Sequence, residues 1–187
     1  MAILFAMNKR KTAKNSSSIN QFLKRVEQTH QQTTVTSDKL LKNLTSLRRD
    51  GRASFVKNVR DIKQTIHFLQ TDLLKHFEME DAALFPFLVT HIPRLAPIVH
   101  LLQNEHADFS ENLETLGLLL EASVREDSDG KRGQLADKIE HIGTYIAYLL
   151  SNYVRNESKS ICLVMKNELK PSENQKLMTK ILGVNHD

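Results

Sequence analysis

The chain has 187 residues, of which 40% are hydrophobic and 26% are charged, and its formal net charge is +4 at pH 7. Its 6 Gly and 4 Pro are too few for a β-sandwich, whereas long helices suit this composition. No apolar run approaches the roughly 20 residues of a membrane span, and basic residues are not interleaved with aromatic ones, so binding to membranes or nucleic acids is not expected.

Residues 1–17 are predicted to form a flexible N-terminal tail. An apolar start precedes the basic residues of this segment, which is the reverse of the order in a secretory signal. The tail ends in a polar run, residues 15–18, that would cap a following helix. Cys162 is the single cysteine, so no intramolecular disulfide can form, and a reducing, cytoplasmic location is predicted.

Four amphipathic helical patterns follow, each with apolar residues at steps of three and four. In chain order they cover residues 19–47, 55–84, 101–120 and 135–164. The patterns are separated by turn residues that end at Gly51, by two prolines at 93 and 97, and by a polar loop around Asp129. Pro171 ends the fourth pattern.

Helices with such short connections pack best in an antiparallel arrangement. We therefore predict an all-α, up-down-up-down four-helix bundle over residues 18–170. Residues 171–187 are predicted to be a short C-terminal extension with room for one short helix. The alternative is an open helical array that uses the same apolar stripes to bind a partner.

Every apolar stripe is interrupted by side chains that can bind a metal ion. They are His30 on the first helix, His76 and Glu80 on the second, His106 on the third, and Tyr153 and Glu157 on the fourth. A spacing of four residues places both members of each pair on one helix face. At a rise of about 1.5 Å per residue from the predicted turns, the four helices bring these side chains to about one level.

A metal ion would resolve an electrostatic conflict at that level. Glu80 and Glu157 in one core layer would repel each other, and each buried carboxylate would cost several kcal/mol without a partner. A site of imidazole and carboxylate ligands suits iron. It also suits manganese or zinc, but it is less diagnostic of these metals. Each residue alone also has an ordinary structural explanation, so the argument depends on their combination on four stripes.

The run from His76 to Leu88 begins with His-Phe, continues with an acidic pair and contains Leu-Phe-Pro. It resembles the second-helix signature of the hemerythrin-like, or HHE cation-binding, family, and Glu105-His106 resembles the third-helix motif. The order of the candidate ligands follows the family across residues 18–170. The resemblance implies a non-haem di-iron centre in a four-helix bundle. It implies these roles: His30, His76 and His106 as imidazole ligands, and Glu80 and Glu157 as bridging carboxylates.

The chain departs from the family at two positions. Tyr153 stands where the family has a histidine, and Ser110 stands where some members have a second third-helix histidine. A phenolate ligand favours Fe(III) and lowers the reduction potential. We expect Tyr153 to bind iron and to make the protein a poor reversible O2 carrier. The alternative is that Tyr153 does not bind and that the site is mononuclear or degenerate.

The resulting hypothesis is a hemerythrin-like protein with two iron ions that acts on or senses O2, peroxide, NO, or the iron or redox state. The rival hypothesis is a protein-interaction module with a degenerate site, and histidine phosphotransfer is disfavoured because the stripe histidines point inward. Cys162 is predicted to be a small buried residue rather than a ligand. The remaining candidates are solvated histidines and residues that support ligands. The histidines are His67, His91, His100 and His141, and the supporting residues are Glu78, Asp81 and Glu105.

Overall fold

The computed structural model describes residues 2–47 and 52–184, with side chains described for 19–47 and 54–183. Within these ranges every regular element is helical, and we number five helices α1 to α5. Three of them are single α-helical segments. These are α1 (Ala2–Thr45), α3 (Ala96–Arg125) and α5 (Pro171–Val184).

The other two helices contain π-helical turns. Helix α2 covers residues 52–91 and α4 covers residues 129–167. The α-helical parts of α2 are Arg52–Phe68, Leu74–Met79 and Phe85–His91, and its π turns are Leu69–Leu73 and Glu80–Leu84. The parts of α4 are Asp129–Glu157, the π turn Ser158–Cys162, and Leu163–Asn167.

The first four helices form a ring in which α1 contacts α2 and α4, and α3 contacts the same two helices. The predicted all-α class is confirmed. The predicted four-helix bundle is not confirmed, because the described residues form five helices. The fifth, α5, lies in the C-terminal extension, where one short helix was predicted to have room, and it packs against α1 and against the second π turn of α2. Leu177 and Ile181 of α5 are buried, so this helix adds to the core.

Prolines set the boundary between α2 and α3. Ile92 has φ −137° and ψ 74°, which ends α2, since the residue before a proline is disfavoured in the helical region. A 3-10 turn, Pro93–Leu95, leads into α3, and Pro97 lies in its first turn, where no backbone donor is needed. Pro86 does not end α2, because it is the second residue after a π turn, in which the backbone hydrogen bonds are already shifted.

The N-terminal part of the chain differs from the sequence prediction. Helix α1 begins at Ala2, so it runs through the polar residues that are predicted to cap it. The predicted turn at Gly51 lies outside the described residues. The domain boundaries predicted at residues 17 and 170 stay predictions. Among the described helices, none has the length and apolar character that a bilayer span needs.

Helices α1 and α4 approach each other closely at Gly143. A Cβ atom built on this residue would lie 2.7 Å from Cδ1 of Leu44, a side chain that is 2% exposed and has little room to move. The absence of a side chain at this position therefore sets the spacing of the two helices.

We expect Gly143→Ala to lower the free energy of unfolding by about 1–3 kcal/mol, because the added methyl group overpacks the contact with Leu44. The matched control is Gly133→Ala in the same helix, where nothing lies within 4 Å of the added atom. The control should gain up to about 1 kcal/mol from helix propensity. Urea unfolding measures both variants, and equal stability of the two would contradict the close approach.

Candidate metal centre

The six predicted ligand side chains come together between the first four helices. Five of them are buried, and the side chain of the sixth, His76, is only 10% exposed. Glu80 and Glu157 are both 0% exposed, so neither carboxyl group has contact with bulk water. The convergence predicted from the helical stripes is therefore present.

His30, His76 and Glu157 form the first part of the cluster. The His30 Nε2 atom lies 2.5 Å from Oε2 of Glu157. One donor atom from each of the three residues lies within 4.8 Å of the others, so the group could hold one metal ion.

Glu80 lies between that group and the second part of the cluster, which consists of His106 and Tyr153. Its Oε1 atom is 3.0 Å from Nε2 of His76. Its Oε2 atom accepts a hydrogen bond from the Tyr153 hydroxyl at 3.2 Å and lies 3.5 Å from Nε2 of His106. The two oxygens of one carboxylate thus face ligand candidates on different helices.

Three buried polar atoms at the centre have no hydrogen-bond partner: Nε2 of His76, Oε1 of Glu80 and Nε2 of His106. The 3.0 Å approach between His76 and Glu80 joins two groups without hydrogen-bond alignment. Unpaired buried polar atoms are rare in folded proteins and call for a missing partner. Imidazole nitrogens and carboxylate oxygens that converge in this way fit a cation.

The outer nitrogens of two histidines are held by neighbouring side chains. The Nδ1 atom of His106 is 3.1 Å from Oδ2 of Asp81, and the Nδ1 atom of His30 is 3.0 Å from Oγ of Ser158. These contacts turn both Nε2 atoms towards the centre, as outer hydrogen bonds do for metal-binding histidines. Phe77 also stacks on the His106 ring at 3.7 Å, and Phe85 stacks beside it at 5.6 Å.

The two glutamates have opposite pKa shifts. Burial, with the adjacent charge of Glu157, raises the pKa of Glu80 well above its usual value. Burial alone would also raise the pKa of Glu157, but the hydrogen bond and charge of His30 outweigh it and lower the pKa to about 2. Without a cation, this environment therefore favours the protonated form of Glu80 and the ionised form of Glu157.

Tyr153 is neutral in the same environment. Burial is the main cause that raises the pKa of its hydroxyl well above the usual value, and the charges of Glu157 and Glu80 act in the same direction. The ring packs against His30 and His106 at centroid distances of 5.5 and 5.4 Å. A phenolate would form here only if a strong positive charge were placed beside its oxygen.

Cys162, which the sequence predicts to be a small buried residue, lies beside Glu157. Its Sγ atom lies 3.8 Å from Oε1 of Glu157, and the side chain is half-buried. The π turn Ser158–Cys162 is the reason, because it brings residues five apart onto one helix face. The sequence carried a signal for this shift, since the stripe position Ser160 is polar whereas the next residue, Ile161, is apolar and fully buried.

The remaining candidates fall mostly where the sequence predicts. The four histidines predicted to be solvated are exposed: His67, His91, His100 and His141. Asp81 supports a ligand candidate as described, and Glu105 accepts a hydrogen bond from Asn156 at 3.3 Å. Glu78 is exposed and makes no contact with the cluster in the described part of the chain.

Comparison with known protein families gives one match. A family model described as the hemerythrin HHE cation binding domain matches residues 21–148. The matched segment contains four of the six clustered residues and ends before Tyr153 and Glu157. No curated protein matches the chain.

In the metal-free protein we expect Glu80→Gln to raise the free energy of unfolding by about 1–3 kcal/mol at pH 8. Folding raises the pKa of Glu80, so its contribution to stability is full below the unfolded pKa of about 4.3 and is lost as the pH rises. The neutral amide has no such loss, and the advantage of the variant should therefore shrink towards zero near pH 4.

Urea unfolding at several pH values, after chelation of all metal, measures this difference. The control is Glu78→Gln, an exposed change on the same helix that should stay within about 0.5 kcal/mol at every pH. A Glu80→Gln variant that is less stable than the wild type at pH 8 would contradict the raised pKa of Glu80.

Proposed function

The chain belongs to the family of hemerythrin HHE cation-binding domains, and we propose that it is a non-haem di-iron protein. Its reaction partners would be O2, peroxide or NO, or it would sense the iron or redox state. The observation that carries this proposal is the buried cluster of histidines and carboxylates with three unpartnered polar atoms at its centre.

Two ions are proposed because the cluster has two parts. His30, His76 and Glu157 would hold one ion, since their donor atoms lie within 4.8 Å of one another. His106 and Tyr153 would hold the other. Glu80 would bridge the two ions, because its oxygens face His76 on one side and His106 with Tyr153 on the other. Glu157 is proposed as the second bridge.

The donor set favours iron over other metals. Imidazole, carboxylate and phenol oxygen suit iron, with manganese and zinc as less favoured alternatives. When bound, iron supplies one-electron redox chemistry and Lewis acidity towards small oxidants or NO. The protein surroundings keep bulk water away, because Glu80, Tyr153 and Glu157 are almost completely buried.

Tyr153 is proposed as a ligand in place of the family's histidine. Its hydroxyl already lies among the other donor atoms, 3.2 Å from Oε2 of Glu80. An anionic oxygen ligand would stabilise Fe(III), which suits peroxide chemistry or redox sensing better than reversible O2 transport. A cytoplasmic location is part of the same proposal, supported by the free thiol of Cys162.

The second candidate is a protein-interaction module with a degenerate site. One observation favours it: the hydroxyl of Ser110 donates to the backbone oxygen of His106 at 2.8 Å, so it satisfies its own helix and does not replace a missing ligand. The two candidates differ in whether the cluster retains metal.

We expect the purified protein, loaded aerobically with iron and then desalted, to retain about two iron ions per chain. Glu80→Ala should lose most of the iron and also the rise in melting temperature that iron gives, because a cation bound only to the folded state adds stability. His141→Ala, an exposed change on α4, is the control and should retain the iron. Less than about 0.3 iron per chain in the wild type would favour the interaction module.

Tyr153→Phe tests the phenolate ligand by spectroscopy. The oxidised wild type should show a visible tyrosinate-to-iron charge-transfer band, and the variant should lack it, because phenylalanine keeps the ring and removes the oxygen. The control is Tyr148→Phe, on the same helix and 61% exposed, which should leave the band in place. A spectrum that is unchanged by Tyr153→Phe would exclude the ligand role.

A further inference from the structure

A surface cavity of about 300 Å³ between α1 and α4 reaches the cluster. It is lined by residues of both helices, including His30, whose ring forms part of its wall. The other lining residues that matter here are Glu27, Gln31, Ser158, Cys162 and Lys166. Two larger surface cavities, of about 450 and 510 Å³, contain none of the six clustered residues in their walls.

Packed side chains cover much of the rest of the cluster, and the His76 side chain is 10% exposed. On the α3 side, Phe77 and Phe85 stack beside the His106 ring, and Phe109 packs against Phe77 at 5.5 Å. On the α2 side, helix α5 packs on the π turn Glu80–Leu84, in which Ala83 is 0% exposed. Of the three cavities, the one at His30 is therefore the one from which a small molecule could reach the cluster.

The wall chemistry of the cavity indicates what it admits. Six of its nine lining residues are polar, and they include one acidic and one basic group, Glu27 and Lys166. A cavity of this volume has room for about ten water molecules. Hydrated cations and small polar molecules fit this description, whereas an extended apolar substrate does not.

Cys162 lines the inner part of this path. Its thiol is in the cavity wall, and its Sγ atom is 3.8 Å from Oε1 of Glu157, a carboxylate that is itself 0% exposed. A group attached to this sulfur would lie beside the buried carboxylate and take up space in the cavity.

We propose that the cavity between α1 and α4 is the entrance through which divalent cations and small polar molecules reach the buried cluster, with Cys162 in its wall. The inference rests on the proposed function, because an entrance requires a site that binds a cation. The proposed entrance adds the route by which a cation reaches the cluster and the size of the molecules that can pass. It also makes Gln31 a position at which a larger side chain should block the route.

A matched pair of neighbouring substitutions tests the entrance. Gln31 and Gln32 are both exposed on α1, but only Gln31 lines the cavity. Gln31→Trp should slow Fe²⁺ uptake by the metal-free protein at least about fivefold, as well as iron removal by a chelator, with the final iron content unchanged. Gln32→Trp should stay within about twofold of the wild type. Equal rates for both variants and the wild type would overturn the entrance, although the proposed function would stand.

A second readout needs no bound metal. Methyl methanethiosulfonate modifies Cys162. The thiol proton goes to solvent, and the Cys162 thiolate attacks the sulfenyl sulfur of the reagent. The products are a mixed disulfide between Cys162 and the methylthio group, and methanesulfinate as the leaving group. In the metal-free protein Gln31→Trp should slow this reaction and Gln32→Trp should not. An unchanged modification rate in Gln31→Trp would overturn the proposed entrance, whether or not the wild type binds a cation. Absence of cation binding by the wild type would refute only the proposed function.

The modified protein gives the reciprocal test. The methylthio group on Cys162 should slow Fe²⁺ uptake, and dithiothreitol should restore the rate by removing the group. Cys162→Ser, treated with the same reagent, is the control and should keep its untreated rate. Uptake that is unaffected by the modification would contradict passage beside the thiol. If Gln31→Trp fails to fold, as judged by circular dichroism, this test decides the proposal.

Discussion

Two buried carboxyl groups in one interior are the constraint on which the centre of the molecule depends. Moving a carboxylate out of water costs several kcal/mol unless opposite charge or hydrogen bonds compensate for it. His30 compensates for Glu157 at 2.5 Å, whereas burial beside Glu157 raises the pKa of Glu80 and favours its protonated form. Donor atoms on all four ring-forming helices face this pair. The packing of the helices thus serves to concentrate charge as well as to bury apolar surface.

The backbone is irregular where these carboxylates lie. A π turn begins at Glu80 in α2, and another begins directly after Glu157 in α4. Such turns are often found at functional sites, because the additional residue re-aims the side chains around it. In α4 the turn brings Ser158 to His30 and Cys162 to Glu157. The surroundings of both carboxylates therefore depend on a departure from regular helix geometry.

The fold class and the convergence of the six residues could be predicted from the sequence, because both follow from helical periodicity. A polar group such as Glu80 on an otherwise apolar stripe is visible without coordinates. The position of Cys162 could not be predicted in the same way, since a regular period of 3.6 residues turns it away from Glu157. A π turn adds a single residue to one helical turn as a result of local packing. This addition changes which of the following residues lie on a given helix face.

Other features depend on contacts between distant parts of the chain. The extent of α5 is one example, because Leu177 and Ile181 become core residues only through their contact with the rest of the fold. The opposite pKa shifts of Glu80 and Glu157 are another. The two residues have the same chemistry, but the hydrogen bond and charge of His30 act on Glu157 and lower its pKa, whereas burial and the charge of Glu157 raise the pKa of Glu80.

The position of α5 has a consequence for the order in which the protein is assembled on the ribosome. Synthesis runs from the N-terminus, so the six clustered residues emerge before the helix that packs over the π turn Glu80–Leu84. The α2 side of the centre is therefore covered only after the other described helices have been made.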